Sequence, residues 1–310
     1  MYRVVVNTKD IEHSEWLRYR KLGIGGSDAG AICGLNPYVS PMMVYFDKVS
    51  EGSKKPDNES MRQGRDFENY VAERFCEETG LKVRRKNQLL QSVEHPCMLA
   101  NVDRMIVGEN VGLECKTASA YSEDNWKDGK IPEHYQIQCH HYMAVTGAAA
   151  WYIAVVILGR DFKYYRIERD EELIQNLISM EEYFWNEYVS ANKMPDPDGS
   201  RTADEIINQY FHNSDEKKNI LLDKYEEQLR RRDEITEIIG RLDTERHQID
   251  QKIKLAMADA EKGVTSGHIV TWKSYQMSKI DTDRLKQERP DIYQSYCKDI
   301  PIRKFTVKAA

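Results

Sequence analysis

The chain has 310 residues, 31% of them charged, and a formal net charge of −6. That balance excludes a diffuse electrostatic grip on nucleic acid and leaves any such contact to a local basic patch. No run of about 18 apolar residues exists and the first residues lack the pattern of a secretory signal, so no membrane span is expected and the location expected is cytoplasmic.

The six cysteines, at 33, 76, 97, 115, 139 and 297, lack C-x-x-C spacing and read as reduced thiols, not as zinc ligands or a disulfide framework. In chain order, a helix around Trp16 is expected to stop near Gly23. Ser27 or Asp28 is a natural N-cap for a second helix reaching Cys33. The Gly-Ile-Gly-Gly-Ser turn leads into that helix start, where backbone N–H groups, the Ser27 hydroxyl and the nearby Arg18, Arg20 and Lys21 suit a phosphate. The same glycines also fit a plain tight turn.

Ser40 to Ser50 reads as an apolar-faced helix and Ser50 to Ser60 as a polar loop. A helix from Met61 to Thr79, closed by Gly80, carries Phe67, Val71 and Phe75 on its stripe, with Gly64 and Glu68 close to the same face. A carboxylate buried there needs a cation or a metal, whereas one at the edge of the stripe needs neither.

Two apolar runs, Met98 to Val107 and Val111 to Cys115, flank a Gly-Glu-Asn turn in the pattern of a β-hairpin. Alternation puts Val111, Leu113 and Cys115 on one face and Gly112, Glu114 and Lys116 on the other, with Asp103 in reach from the first strand. Two carboxylates and an ammonium suit Mg²⁺-assisted attack on phosphorus: oxygen ligands for a hard ion, and a lysine to hold or deprotonate the water. The same charges also fit a solvated hairpin face.

Thr117 to Pro132 reads as a surface loop flanking a channel. A helix from Glu133 to Val145 ends at Gly147, with Gln136 and His140 one turn apart. His140 and His141 point to different faces, which argues against a two-histidine metal site. Ala149 to Leu158 is a central strand and Phe162 to Glu168 a second, and Asp170 caps a helix carrying Leu173, Leu177 and Phe184. The fold class is α/β (α+β), a central mixed and mostly antiparallel sheet flanked by helices.

Lys193 to Thr202 reads as a linker by its Pro, Gly and Asp content, separating a domain over 1–192 from a C-terminal module over 203–310. Asp215 to Ala260 is expected as one long helix, bent or broken at Gly240, whose coiled-coil-like stripe of Ile235, Ile239, Leu242 and Ile249 needs a partner. Gly267 to Gln276 reads as a strand, and Pro290 to Val307 as a short helix and a final strand at Arg303 to Val307.

Taken together and in this order, Gly-Ile-Gly-Gly-Ser-Asp (23–28), Gly-Arg-x-x-Glu (64–68), Asp103, Glu-Cys-Lys (114–116) and Tyr-Gln-Ile-Gln (135–138) resemble the YqaJ-like viral recombinases, relatives of phage lambda exonuclease. The resemblance covers about residues 12–192. It implies a PD-(D/E)xK restriction-endonuclease-like core and a deoxyribonuclease of the alkaline exonuclease type. Such an enzyme works 5′-to-3′ on linear duplex DNA with two Mg²⁺ ions, Mn²⁺ substituting, and leaves a 3′ single strand. It assigns Asp103 and Glu114 as metal ligands, Glu68 as the holder of the second metal and Lys116 as the residue activating water. Gln136 matches the first glutamine of the family's Gln-x-Gln helix, close to that lysine. Ser27 and Arg20 match the receivers of the terminal 5′-phosphate. The lambda enzyme's Arg-Leu-Gly spacing is one residue shorter, so Arg20 and Lys21 compete for that place, and Val102 stands where the signature has its proline. The resemblance also implies a single-strand annealing protein as partner, a homo-oligomer such as a ring-shaped trimer, and a phage or prophage protein acting in a bacterial host. A PD-(D/E)xK endonuclease and a non-catalytic DNA-end-binding scaffold are the alternatives.

Overall fold

The structure, a computed structural model, describes residues 1–9, 11–50, 58–300 and 302–308; most of the polar loop expected over 50–60 lies outside the described residues. The chain divides into two units, Met1–His212 and Asn213–Ala310.

In the first unit, β1 (Tyr2–Asn7) precedes α1 (His13–Arg20), the helix expected around Trp16. β2 (Ile24–Gly25) runs into α2 (Gly26–Ile32). The N-cap of α2 is Gly25, earlier than Ser27 or Asp28. Asp28 lies inside the first turn, where its carboxylate accepts the Gly25 N–H at 3.0 Å and so satisfies a donor at the helix entrance. α3 (Pro41–Val49) is capped by the Ser40 hydroxyl, and α4 (Glu59–Thr79) begins at Asn58 and ends on Gly80. There follow β3 (Val83–Arg85), β4 (Gln88–Ser92), β5 (Met98–Asn101), β6 (Arg104–Ile106) and β7 (Val111–Ala118). The unit continues through α5 (Glu133–Thr146), β8 (Ala150–Ile157), β9 (Asp161–Glu168) and α6 (Glu171–Phe184), which Asp170 caps as expected.

Among the described residues of this unit two sheets form, not one. The five-stranded sheet has the order β3-β6-β7-β8-β9 and is mixed, because β7 and β8 run parallel while its other pairs are antiparallel. The four-stranded sheet has the order β1-β4-β5-β2. The run expected as the first hairpin strand is therefore divided: Leu99 to Asn101 pair with β4, whereas Arg104 and Met105 pair with β7. The break falls at Val102 and Asp103. There the Asp103 carboxylate, in place of a strand partner, accepts the Cys115 N–H at 2.9 Å.

The alternation read for β7 holds. Val111, Leu113 and Cys115 pack against Val71, Ala72 and Phe75 of α4. The opposite face meets α5, whose Cys139, Tyr142 and Met143 share a core with Trp151, Ile153 and Val155. Gly112 belongs to that second face because a Cβ there would lie 2.2 Å from the Trp151 ring. The segment over 193–202 runs into α7 (Arg201–Tyr210), which buries Ala203 and Ile206 and sets Tyr210 edge-on to Phe46 of α3, so the first unit extends to His212.

In the second unit α8 (Glu226–Met257) is one continuous helix that passes through Gly240 without a break, a single helical glycine costing only about 1 kcal/mol. It starts later than Asp215, after a short 3₁₀ turn over Asp223–Tyr225. Ile235, Ile239, Leu242 and Ile249 are exposed on it. β10 (Lys262–Val264) and β11 (Ile269–Thr271) form a hairpin, followed by α9 (Thr282–Glu288) and α10 (Pro290–Tyr296). The final strand expected at Arg303 to Val307 does not form: the hairpin pairs only β10 with β11, and Phe305 is exposed. Among the described residues no helix is long and apolar enough to cross a membrane.

Candidate active site

A cleft of about 1590 Å³ opens in the first unit. Glu114 and Lys116 of β7 and Asp103 line it, together with Arg20 and Ser27 from the α1–α2 region, Glu68 from α4, and His134, Tyr135 and Gln138 from α5.

The chemistry is concentrated on the α5-facing side of β7. Glu114 Oε1 lies 2.6 Å from Lys116 Nζ and accepts the Gln138 amide at 2.7 Å. Lys116 Nζ also donates to Gln138 Oε1 at 3.0 Å and sits 4.6 Å from the centre of the Tyr135 ring. Glu114 is 3% exposed, and its Oε2 has no partner among the described residues. Burial, followed by the charges of Glu114 and Glu68, pushes the Asp103 carboxyl well above the usual carboxylate range. Burial works against the Lys116 charge, but Glu114 and Tyr135 outweigh it and hold the ammonium above the ordinary lysine range. His134, its ring tilted 47° to that of Tyr135 with centroids 4.0 Å apart, is brought down to about 4 by burial and by Lys116, so it is neutral at pH 7.

Glu68 does come close to this cluster, yet its carboxylate is taken by the buried Arg104 guanidinium, which also donates to the Asp103 carbonyl at 2.9 Å. Among the described residues no three His, Cys, Asp or Glu side chains gather tightly enough to hold a metal by themselves. Asp103 and Glu114 still fit an ion such as Mg²⁺, which takes one or two carboxylates and keeps its waters. A bare, buried carboxylate oxygen and an acid pushed toward protonation by its neighbours are both relieved by a cation.

The glutamine on Lys116 is Gln138, not Gln136. Gln136 donates instead to the Ile131 carbonyl at 2.8 Å. Helical spacing explains the difference: Tyr135, Gln138 and Tyr142 fall on the face turned to β7, where Gln138 also reaches the Tyr142 hydroxyl at 3.0 Å. That spacing was the signal in the sequence for Gln138 and Tyr135. Arg104, by contrast, carried no signal beyond its place next to Asp103. The loop expected over 117–132 is only partly a surface feature, since Trp126 is 2% exposed and stacked between Tyr135 and Tyr165.

Arg20 and Ser27 also line the cleft, while the Lys21 ammonium is spent on the Ser50 carbonyl. The glycines before Ser27 are not there for a left-handed turn, since neither Gly25 nor Gly26 has a positive φ. Gly26 permits close approach, because a Cβ on it would lie 2.6 Å from the Tyr142 ring of α5.

The model of the YqaJ-like viral recombinase domain matches residues 15–149, a span that holds every residue of this cluster. The chain is also 38% identical over 312 residues to the uncharacterized protein YqaJ of Bacillus subtilis (strain 168), covering 98% of this chain and 97% of that one. The chain belongs to the YqaJ-like viral recombinase family. Among solved structures, LHK-Exo in complex with dAMP aligns over 58% of this family member and 93% of its own chain, with a TM-score of 0.50 and 21% identity. The alkaline exonuclease LHK-Exo from Laribacter hongkongensis gives the same coverage at a TM-score of 0.48. The shared feature is the fold, a PD-(D/E)xK-type mixed α/β core.

Proposed function

We propose that this YqaJ-like protein is a Mg²⁺-dependent 5′-to-3′ exonuclease, Mn²⁺ substituting, that degrades one strand of linear duplex DNA from its ends. The 3′ single strand left behind would serve annealing-type recombination in the cytoplasm of a host cell. One observation carries the reading: Asp103, Glu114, Lys116 and Gln138 meet in a cleft that Arg20 and Ser27 also line. Membership of the YqaJ-like viral recombinase family supports it.

Asp103 and Glu114 would hold the ion, with Glu68 beside them. Bound there, it would polarise the scissile phosphate and neutralise charge that develops on the phosphate oxygens. Lys116 holds the attacking water, and Gln138 keeps Lys116 and Glu114 in register. In the hydrolysis the water oxygen bonds to phosphorus and the 3′ oxygen leaves with a proton. Each cut therefore places a new 5′-phosphate on the next nucleotide, and that phosphate can occupy the Arg20–Ser27 wall in turn. A homo-oligomer enclosing DNA and an annealing protein that takes up the 3′ strand are consistent partners.

The test is digestion of linear duplexes, with and without 5′-phosphates, beside closed circles of the same sequence, in Mg²⁺ with an EDTA control. The expected result is loss of linear DNA alone, faster with the 5′-phosphate and with a surviving 3′ strand. Cut circles would replace this reading with an endonuclease. Absence of Mg²⁺-dependent cleavage would leave a DNA-end-binding scaffold.

A further inference from the structure

Behind the Arg20–Ser27 wall lies a buried ionic cluster that the cleavage chemistry does not use. Asp28 is 7% exposed and receives three donors from three elements. The Lys48 ammonium of α3 is 2.6 Å from its Oδ2, the Gly25 N–H is 3.0 Å from the same oxygen, and Arg20 Nη2 of α1 is 3.3 Å from Oδ1. The Lys48 side chain is fully buried and also donates to the Arg20 carbonyl at 3.1 Å. Arg20 is thus held twice, by its side chain through Asp28 and by its backbone through Lys48. Its guanidinium lies over the Trp16 ring at 5.1 Å.

A lysine and an aspartate buried together cost desolvation that a packed apolar pair would not, so burial alone does not account for the pair. Its geometry does something specific: it fixes the end of α1, the Gly25–Ser27 turn and α3 to one carboxylate. The guanidinium has five N–H donors and Asp28 engages one of its nitrogens, so the fork is oriented without being consumed.

Resting on the 5′-phosphate reading above, we infer that Asp28, braced by Lys48, is the positioning residue that aims Arg20 at the terminal phosphate and so sets the preference for phosphorylated ends. Asp28 does not touch the DNA; it acts through Arg20. Lys48 supplies the second positive charge that lets an acid stand beside a phosphate site, because Arg20, Lys48 and Asp28 together leave one net positive charge.

The experiment measures initial digestion rates of the full-length protein in Mg²⁺ on linear duplexes ending in 5′-phosphate or 5′-hydroxyl, for wild type, Asp28→Asn, Arg20→Ala and the double variant, with thermal melts to establish folding. Asp28→Asn is expected to lower the phosphate-to-hydroxyl rate ratio about tenfold, the scale of one charged hydrogen bond, chiefly through KM for phosphorylated ends. In the Arg20→Ala background the same change should lower the ratio no further, because coupled residues are not additive. The double variant Asp28→Asn with Lys48→Met removes both buried charges, so it separates the lost aim of Arg20 from a stranded Lys48, and it should show the same fall. A folded Asp28→Asn protein that keeps the wild-type ratio overturns the inference while the phosphate site stands. An additive further fall in the Arg20→Ala background also overturns it, since Asp28 would then act by another route. A wild-type ratio of one removes the phosphate site and this inference with it.

Discussion

The carboxylate of Asp103 and the backbone amide of Cys115 meet at 2.9 Å, which fixes an acid from the junction of two sheets beside the strand that carries Glu114 and Lys116. Asn at position 103 keeps an oxygen that can accept this bond but loses the charge. Asp103→Asn is therefore expected to melt within a few degrees of wild type while losing at least about 100-fold in Mg²⁺-dependent cleavage, the scale of an electrostatic group acting in the transition state. Parallel melts and digestion assays check it.

Lys116→Ala should keep binding to duplex ends and lose hydrolysis. Gel-shift measurements in Ca²⁺ beside digestion in Mg²⁺ separate the two, and a variant with wild-type rate would break the site assignment.

The two glutamines of α5 should behave differently. Gln138→Leu strips a buried partner from both Glu114 and Lys116 and is expected to lower the rate by about 10- to 100-fold. Gln136→Leu, in the lining of the same cleft, loses its bond to the Ile131 carbonyl and should cost about threefold or less. Equal losses would mean that the contact with Lys116 is not what matters.

Gly112→Ala sets a methyl into the fully buried Trp151 ring. Overpacking of this kind costs about 1–3 kcal/mol or more, so a lower midpoint in urea is expected. A midpoint equal to that of wild type would show that β7 and β8 can separate locally.

Asp28 gives a pH signature. Burial alone would raise its carboxyl, but Lys48 and Arg20 outweigh burial and hold it at about 2, against an ordinary 3.8. A folded-state value lowered in this way contributes stability that is fully present above pH 3.8 and is lost as the pH falls toward 2, about 2 kcal/mol in all. The gap in unfolding free energy between wild type and Asp28→Asn should thus be wide at pH 5 and shrink on acidification toward pH 2; denaturant melts across that range measure it.

Much of the fold could be read from period and punctuation. The stripe of Val71 and Phe75, the alternation of Leu113 and Cys115 against Glu114 and Lys116, and the Asp170 cap all follow from local rules, and the structure contains each of them. What could not be read is non-local. Nothing near Met98 says that its apolar run feeds two sheets, because the break depends on a bond to Cys115 twelve residues on. The choice of Gln138 over Gln136 depends on which face of α5 meets β7. Lys48 looks like a surface lysine on an amphipathic helix until the packing of α3 puts its ammonium on Asp28. Glu68 stands out in the sequence by its place near an apolar stripe, but its partner, Arg104, comes from the next strand beyond Asp103.

The division of labour between the two sheets has one more consequence. β2, which leads straight into the Ser27 turn, belongs to the four-stranded sheet, and Glu114 belongs to the five-stranded one. The chain twice crosses between them within two residues, at Lys86–Asn87 and at Val102–Asp103. Under the proposed chemistry, the place that grips the end of the DNA and the place that cuts it belong to different sheets, and α5 packs against both, on Gly26 at one and on the Glu114 face of β7 at the other. The length of DNA removed at each step would then be a calliper setting, fixed by how firmly α5 holds the two sheets together.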